Sequence, residues 1–415
     1  MKLFLKTLIL LVFSVSLFAQ NESNSPYSRF GIGELNEFST AGQSAMGGLG
    51  IADDDPISIN ISNPASYSSV FQQRFTMQTG GQHITKLLQT NDQSQVVNAT
   101  NFNYLLFGFP LHKKIGASFG LLPYSTVSYS FSDVNMDPQA DLFFDGNGGL
   151  TRLYFGNSVA ISSQLSVGTN INFLFGNLNS RRKVVFSDAT ILNTRFNDDI
   201  SMRGLYFDFG IQYKYNLGNW RSVLAMTFDN GSKIGAKRTN LTETYRLNSD
   251  IEYVEDTVSY KVLKEGHLQL PSSLGFGVKL ANDKWKFLAD FTTQNWSNYS
   301  LFGESDSLNN STFLSIGSEY VPDKKAINKY YKMIRYRLGF NMSNTFLNIK
   351  NEQLTKTSIA FGFGLPLKKS GSLLNISSEI GQLGTLNNDL IRESFVRFKI
   401  GFIFSDIWFV KRKYN

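Results

Sequence analysis

From about residue 71 to residue 405 one pattern recurs: apolar and polar side chains alternate, run after run. In Ile334–Met342 the even positions are Ile334, Tyr336, Leu338, Phe340 and Met342, and the odd ones are Arg335, Arg337, Gly339 and Asn341. In Leu205–Lys214 large apolar residues alternate with Tyr206, Asp208, Gly210, Gln212 and Lys214. In Val396–Phe404 they alternate with Arg397, Lys399 and Gly401. Side chains two apart share a face of a β-strand, so each run has one greasy face and one polar face. The second face carries Arg335, Arg337, Arg397, Lys399, Asp208 and Glu319. Charges of that kind suit a wet or hydrogen-bonded interior and not the dry core of a sandwich. The greasy faces must therefore meet lipid, and the pattern predicts a transmembrane β-barrel.

Composition supports this reading. Phe numbers 36 and Tyr 18, while Pro is held to 9, so the chain is rich in strand-borne aromatics and poor in strand breakers. No later stretch has the roughly 18 consecutive apolar residues of a membrane helix. The first twenty residues, with Lys2 and Lys6 ahead of an apolar run to Phe18 and Ala19 after it, read as a secretory signal peptide. There is no cysteine, hence no lipid-anchoring thiol, disulfide framework or thiolate metal site. The formal net charge of +7 comes without a basic stripe, and nucleic-acid binding is not expected.

Fourteen candidate strands can be marked, the first at 72–90 and the last at 392–405, an even number as an up-and-down barrel requires. Short connectors (111–114, 162–164, 217–220, 281–284, 366–371) alternate with long polar ones (91–100, 135–148, 179–200, 233–255, 303–311, 384–392). The short side is expected to be periplasmic. The expected organisation is a signal peptide at 1–20, an N-terminal hatch at 21–70 and an all-β antiparallel barrel at 71–415. Residues 21–70 are rich in Gly and small polar residues and lack a continuous apolar face, so they fit a lumen better than a lipid-facing wall. Within them Asn63 starts a turn and Pro64 fixes its backbone, ahead of Ala65. Pro123 interrupts the third strand, where it removes a ladder donor and predicts a bulge or kink.

Several stretches together resemble the FadL-type family of outer-membrane transporters for long-chain fatty acids and other hydrophobic molecules. They are "AGQSAMGGLGIADDDPISINISNPASYSSV" (41–70), "NSVAISSQLSVGTNINFLFGN" (157–177), "LPSSLGFGVKL" (270–280), "WKFLADFTTQNWSNYS" (285–300), "IGSEYVPD" (316–323) and "YRLGFNMS" (336–343). The resemblance implies fourteen strands, a hatch folded back into the lumen with its Asn63-Pro64-Ala65 motif, and a third strand kinked inward near Pro123 to leave a lateral exit. It also implies passive uptake of hydrophobic or amphipathic small molecules across the outer membrane of a Gram-negative-type bacterium. Related barrels in type 9 secretion are similar in fold but carry or dock proteins. A non-transporting subunit of an outer-membrane assembly or secretion machine is therefore the alternative expectation, with other outer-membrane or periplasmic proteins as partners.

The inward Arg335, Arg337, Arg397 and Lys399 have two readings: they bind a substrate carboxylate, or they pair with Glu319 and Asp208 to anchor the hatch. No enzymatic set stands out. His83, His112 and His267 lie far apart in sequence, and neither a metal nor a cofactor is expected. The acidic run Asp53–Asp55 reads as a solvated turn rather than a Ca²⁺ loop.

Overall fold

A computed structural model describes residues 25–408, except 37, 71–73, 138, 249–250, 327 and 368–370. The proposed signal peptide and the basic end of the C-terminal tail lie outside the described residues. The rest is a closed antiparallel barrel of fourteen strands around a lumenal hatch. The first six strands are β1 (Arg74–Gln89), β2 (Ser94–His112), β3 (Ile115–Asp137), β4 (Ala140–Ala160), β5 (Leu165–Phe186) and β6 (Asn193–Leu217). The next two are each interrupted once: β7 runs Trp220–Asp229 and Lys233–Asn248, and β8 runs Ile251–Gln269 and Ser273–Ala281. The circuit is completed by β9 (Trp285–Gln294), β10 (Ser311–Tyr320), β11 (Arg335–Ile349), β12 (Glu352–Pro366), β13 (Leu373–Leu383) and β14 (Arg392–Ile407). β14 closes on β1 in continuous register from Arg392–Gln89 to Ile407–Arg74, so no sheet edge faces lipid there.

The outer face carries the alternation read from the sequence. On β6, Leu205, Phe207, Phe209, Ile211 and Tyr213 all point outward, and on β12 Ile359, Phe361 and Phe363 do the same. Trp285 packs on Tyr320 with ring centroids 4.4 Å apart, and Trp408 stacks on Phe75 at 4.4 Å. Both pairs sit at the rim with the short turns, where amphipathic rings favour the membrane interface.

The two interruptions in β7 and β8 are neighbours, since the Leu270 amide donates to the Ser232 carbonyl at 2.9 Å. Gly231 takes a φ of +66°, and Pro271 has no amide hydrogen to give. Below this level β6 pairs with Trp220–Asp229; above it, with Gly235–Tyr245.

The wall departs from expectation in height. Four of the six connectors read as long loops (91–100, 135–148, 179–200 and 233–255) are mostly strand. β3, β5 and β6 run to 23, 22 and 25 residues, whereas β9 and β10 have 10 each. About 9–11 residues suffice to cross the bilayer. Above the membrane both faces of a strand meet water, so pairing persists while the period-2 hydrophobic signal disappears. β9 ends at Gln294, and Trp296 lies in a short helical turn.

Candidate functional site: the hatch and its seat

The hatch enters at the extracellular mouth and descends. Tyr27 is held there, its hydroxyl donating to the Ile391 carbonyl (2.6 Å) and accepting from the Ile391 amide (2.9 Å). Glu34–Leu35 then pairs as a two-residue strand with Ser125–Thr126 of β3. A single helical turn, Ala41–Ser44, follows in mid-lumen, closed by a reciprocal capping box between Thr40 and Gln43. Residues 45–62 cross toward β7–β10, and Pro64–Ser69 forms a 3₁₀ turn against β4–β6 before the chain enters β1.

Asn63 is fully buried and caps that last turn, its Oδ1 accepting from the Ala65 amide at 3.0 Å. Its Nδ2 donates to the Ile51 carbonyl at 2.9 Å and reaches Ile211 and Met226 carbonyls of β6 and β7 at 3.3 and 3.5 Å. Pro64 takes the first helical position, where its missing amide hydrogen costs nothing. The wall beneath is backbone. A Cβ at Gly168 would lie 2.6 Å from the Ala65 nitrogen, and one at Gly339 would overlap the Met46 carbonyl carbon. Glycine is needed at these strand positions because two main chains approach closely.

Ion pairs fix the same region. Asp53–Asp55 is not a solvated turn. Asp54 pairs with Lys279 and, at 3.3 Å, with Lys214; Asp53 lies 3.5 Å from Lys286; and Asp55 pairs with Arg335. Burial alone would raise the Asp55 carboxyl, but Arg335 and Lys286 outweigh it and hold it below its ordinary value. Among the described residues no group of His, Cys, Asp or Glu has metal-binding geometry.

The six charges singled out from sequence fall into three groups. Glu319 is a hub, 2.8 Å from Arg337, 3.7 Å from Arg335 and 3.6 Å from Lys286. Arg397 binds Glu379 at 2.8 Å, and Lys399 donates to the hatch hydroxyls of Ser44 (2.7 Å) and Ser39 (3.1 Å). Asp208 joins none of these cations: its partner is Arg152, at 3.5 Å, which also lies over the Phe38 ring of the hatch. Sequence reasoning missed Lys86, which is buried between Glu34 (2.6 Å) and Glu393 (3.2 Å). It also missed Asp290, which accepts from the Gly50 and Ile51 amides at 2.7 and 2.9 Å. Both stand at inward positions of alternating runs, and that was the available signal.

Pro123 sits at a register shift between β3 and β4, with Tyr124 as the extra residue. The β2–β3 ladder ends at Leu105–Leu121, just below it, and above this point the hatch strand takes the place beside β3. A cavity of about 410 Å³ lies over the hatch, lined by Phe38, Tyr124, Tyr206, Phe228, Phe313 and Phe346 together with Lys86, Arg152 and Asp208. Beside Pro123 the free space is about 10 Å³, bounded by Phe38, Tyr104 and Leu122.

Comparisons with known proteins agree with this architecture. The monoaromatic hydrocarbon channel CymD superposes with a TM-score of 0.62 at 14% identity, covering 89% of this chain and 98% of its own. The Pseudomonas putida toluene transporter TodX gives 0.61 at 15% identity, covering 91% and 100%. A Pseudomonas aeruginosa FadL homologue gives 0.60 at 12%, covering 90% and 98%. These superpositions establish a shared fold, that of the FadL-type outer-membrane barrel. No curated protein matches the sequence. The BamG family model matches residues 1–415, and the chain therefore belongs to the BamG family.

Proposed function

We propose that this barrel is a subunit of an outer-membrane protein assembly or secretion machine, with a lumen that serves as a seat for the hatch and not as a passage. The observation that carries this reading is main-chain contact between hatch and wall at Gly168 and Gly339, on opposite sides of the lumen. A plug that must move would need to break that contact along with the Asp53–Asp55 ion pairs. The tall wall of β3–β8 offers surface beyond the membrane, which a partner protein could use and a simple pore would not need. Membership of the BamG family is compatible with this reading.

The test is purification in mild detergent followed by reconstitution. Stoichiometric outer-membrane or periplasmic partners should co-purify, and proteoliposomes should be no more permeable than empty ones. A barrel that runs alone and admits small apolar solutes would overturn the proposal.

A second reading, passive uptake of hydrophobic or amphipathic molecules, is favoured by the 410 Å³ cavity, a size in the range of small-molecule sites. The toluene transporter TodX and the monoaromatic hydrocarbon channel CymD, which share this fold, make a small aromatic the first solute to try. In that case Pro64→Ala should loosen the hatch and raise uptake; with a permanent seal it should change only stability.

A further inference from the structure

We propose that the outer face of β6–β8 carries a binding site for the phosphorylated headgroup of an outer-leaflet lipid. Five consecutive outward positions of β6, from Tyr213 up to Leu205, are large and apolar. The next outward position is Arg203, followed by Ser201 and Asp199. The lipid-facing belt therefore ends between Leu205 and Arg203. Strand register carries that level across the wall: Arg203 pairs with Gly235 of β7, and Gly235 pairs with His267 of β8. Ile234 and Ala236 are buried inward, so Lys233, Gly235 and Lys237 point outward, and all three are exposed. Arg203 and His267 are exposed on the same face.

The result is a cross of three cations and an imidazole around a glycine. Arg203 and His267 flank Gly235 in one row, with Lys233 one outward step below and Lys237 one above. Gly235 has no side chain to fill the centre, and a group at that point can approach the strand surface. Arg203, Lys233 and Lys237 form no ion pair with any described residue, in contrast to the lumenal cations. The first outward acid on β6, Asp199, lies beyond Ser201 and opposite Thr239, and on β8 the exposed Glu265 stands one outward step above His267 without an ion pair to any described residue. Unpaired cations immediately above an apolar belt lie at headgroup depth, where Lys can extend along the membrane edge and Arg can grip a phosphate with two N–H groups.

The six strands β9–β14 lack the feature. On each of β9–β14 the first outward position above the apolar run is Thr293, Thr312, Asn344, Thr357, Gln382 or Ser394, all neutral, and the next outward cation, Arg392 of β14, is bonded to Gln89. A generic attraction to an anionic surface would not need such a sector. A headgroup held between acyl chains on the belt and phosphate on the cross would.

The experiment uses the full chain in detergent, with a singly phosphorylated lipid A as probe and its dephosphorylated form as control, read by native mass spectrometry. The wild type should retain the phosphorylated lipid. The triple variant Arg203→Ala, Lys233→Ala, Lys237→Ala should retain about a hundredfold less, as expected for the loss of three headgroup cations. The charge-preserving variant Arg203→Lys, Lys233→Arg, Lys237→Arg should bind as wild type, which separates loss of charge from loss of fold. Equal retention by the alanine variant, or equal retention of the dephosphorylated lipid, overturns the proposal. Displacement of the lipid by millimolar inorganic phosphate would reveal a site for free anions, and would overturn the lipid assignment.

Discussion

The lower and upper parts of the hatch are held by different physics. From Ala41 to Ser69 the chain lies on wall glycines and is pinned by part-buried charge pairs to β6, β8 and β11, with Lys279 of β8 fully enclosed. From Ser25 to Asn36 it is a strap: two residues of strand pairing, the Tyr27 bonds to Ile391, and Glu34 on Lys86. The first arrangement resists movement because main-chain overlap and unpaired buried charge are both costly. The second holds one buried charge pair, Glu34–Lys86, but Lys86 keeps Glu393 when Glu34 lifts away, so the strap can be given up stepwise without leaving that lysine unpaired. A closed lumen thus rests on the lower region, and any local opening is expected to begin in the upper one.

The largest effect should come from removing the charge hub. Glu319→Leu leaves Arg337, Arg335 and Lys286 without their shared carboxylate. Orphaned buried charge typically costs about 3–5 kcal/mol. The midpoint of urea unfolding should fall accordingly, and the lower hatch should become protease-sensitive. If only the strap becomes sensitive, the distinction between the two regions is wrong.

Gly339→Val tests the backbone seat without touching charge. The branched side chain overlaps Met46 and demands a shift of the hatch, at about 1–3 kcal/mol or more. Hydrogen exchange at Met46 and Gly47 should accelerate while Ser25–Asn36 stays unchanged. Unaltered exchange at Met46 would mean that the contact yields easily and that the seat is not rigid.

Acid should act on the lower region as well. The folded-state Asp55 carboxyl is held below its ordinary value, so its pairing stabilises the hatch fully above the unfolded value of about 4. That contribution is lost as pH falls further, through the folded value. Hatch protection measured from pH 6 to pH 3 should therefore decline only at the acid end, and Asp55→Asn should flatten that part of the profile.

Wherever a strand has lipid on one side and the lumen on the other, it was legible from sequence, because one period-2 signal reports both. Leu205–Lys214 and Val396–Phe404 are of this kind. The upper half of β6, Asn193–Ser201, was not, since water bathes both of its faces and nothing forces alternation. The Asn63-Pro64 turn was legible because its chemistry is local. The role of Asp53–Asp55 was not, because Lys279, Lys286 and Arg335 lie more than two hundred residues away and only barrel closure brings them near.

The smallest predicted effect sharpens the comparison from the other side. Tyr27→Phe removes one hydroxyl that both donates to the Ile391 carbonyl and accepts from its amide, and it leaves the ring in its apolar surroundings. The strap and the β13–β14 loop lose their link, at a net cost of about 1 kcal/mol. Exchange at Ser28 and Ile391 should rise several-fold, while Met46, Gly50 and Ile51 keep their protection. If Gly50 and Ile51 loosened too, the strap would be part of the lock on the lower hatch, and the two regions would open as one unit.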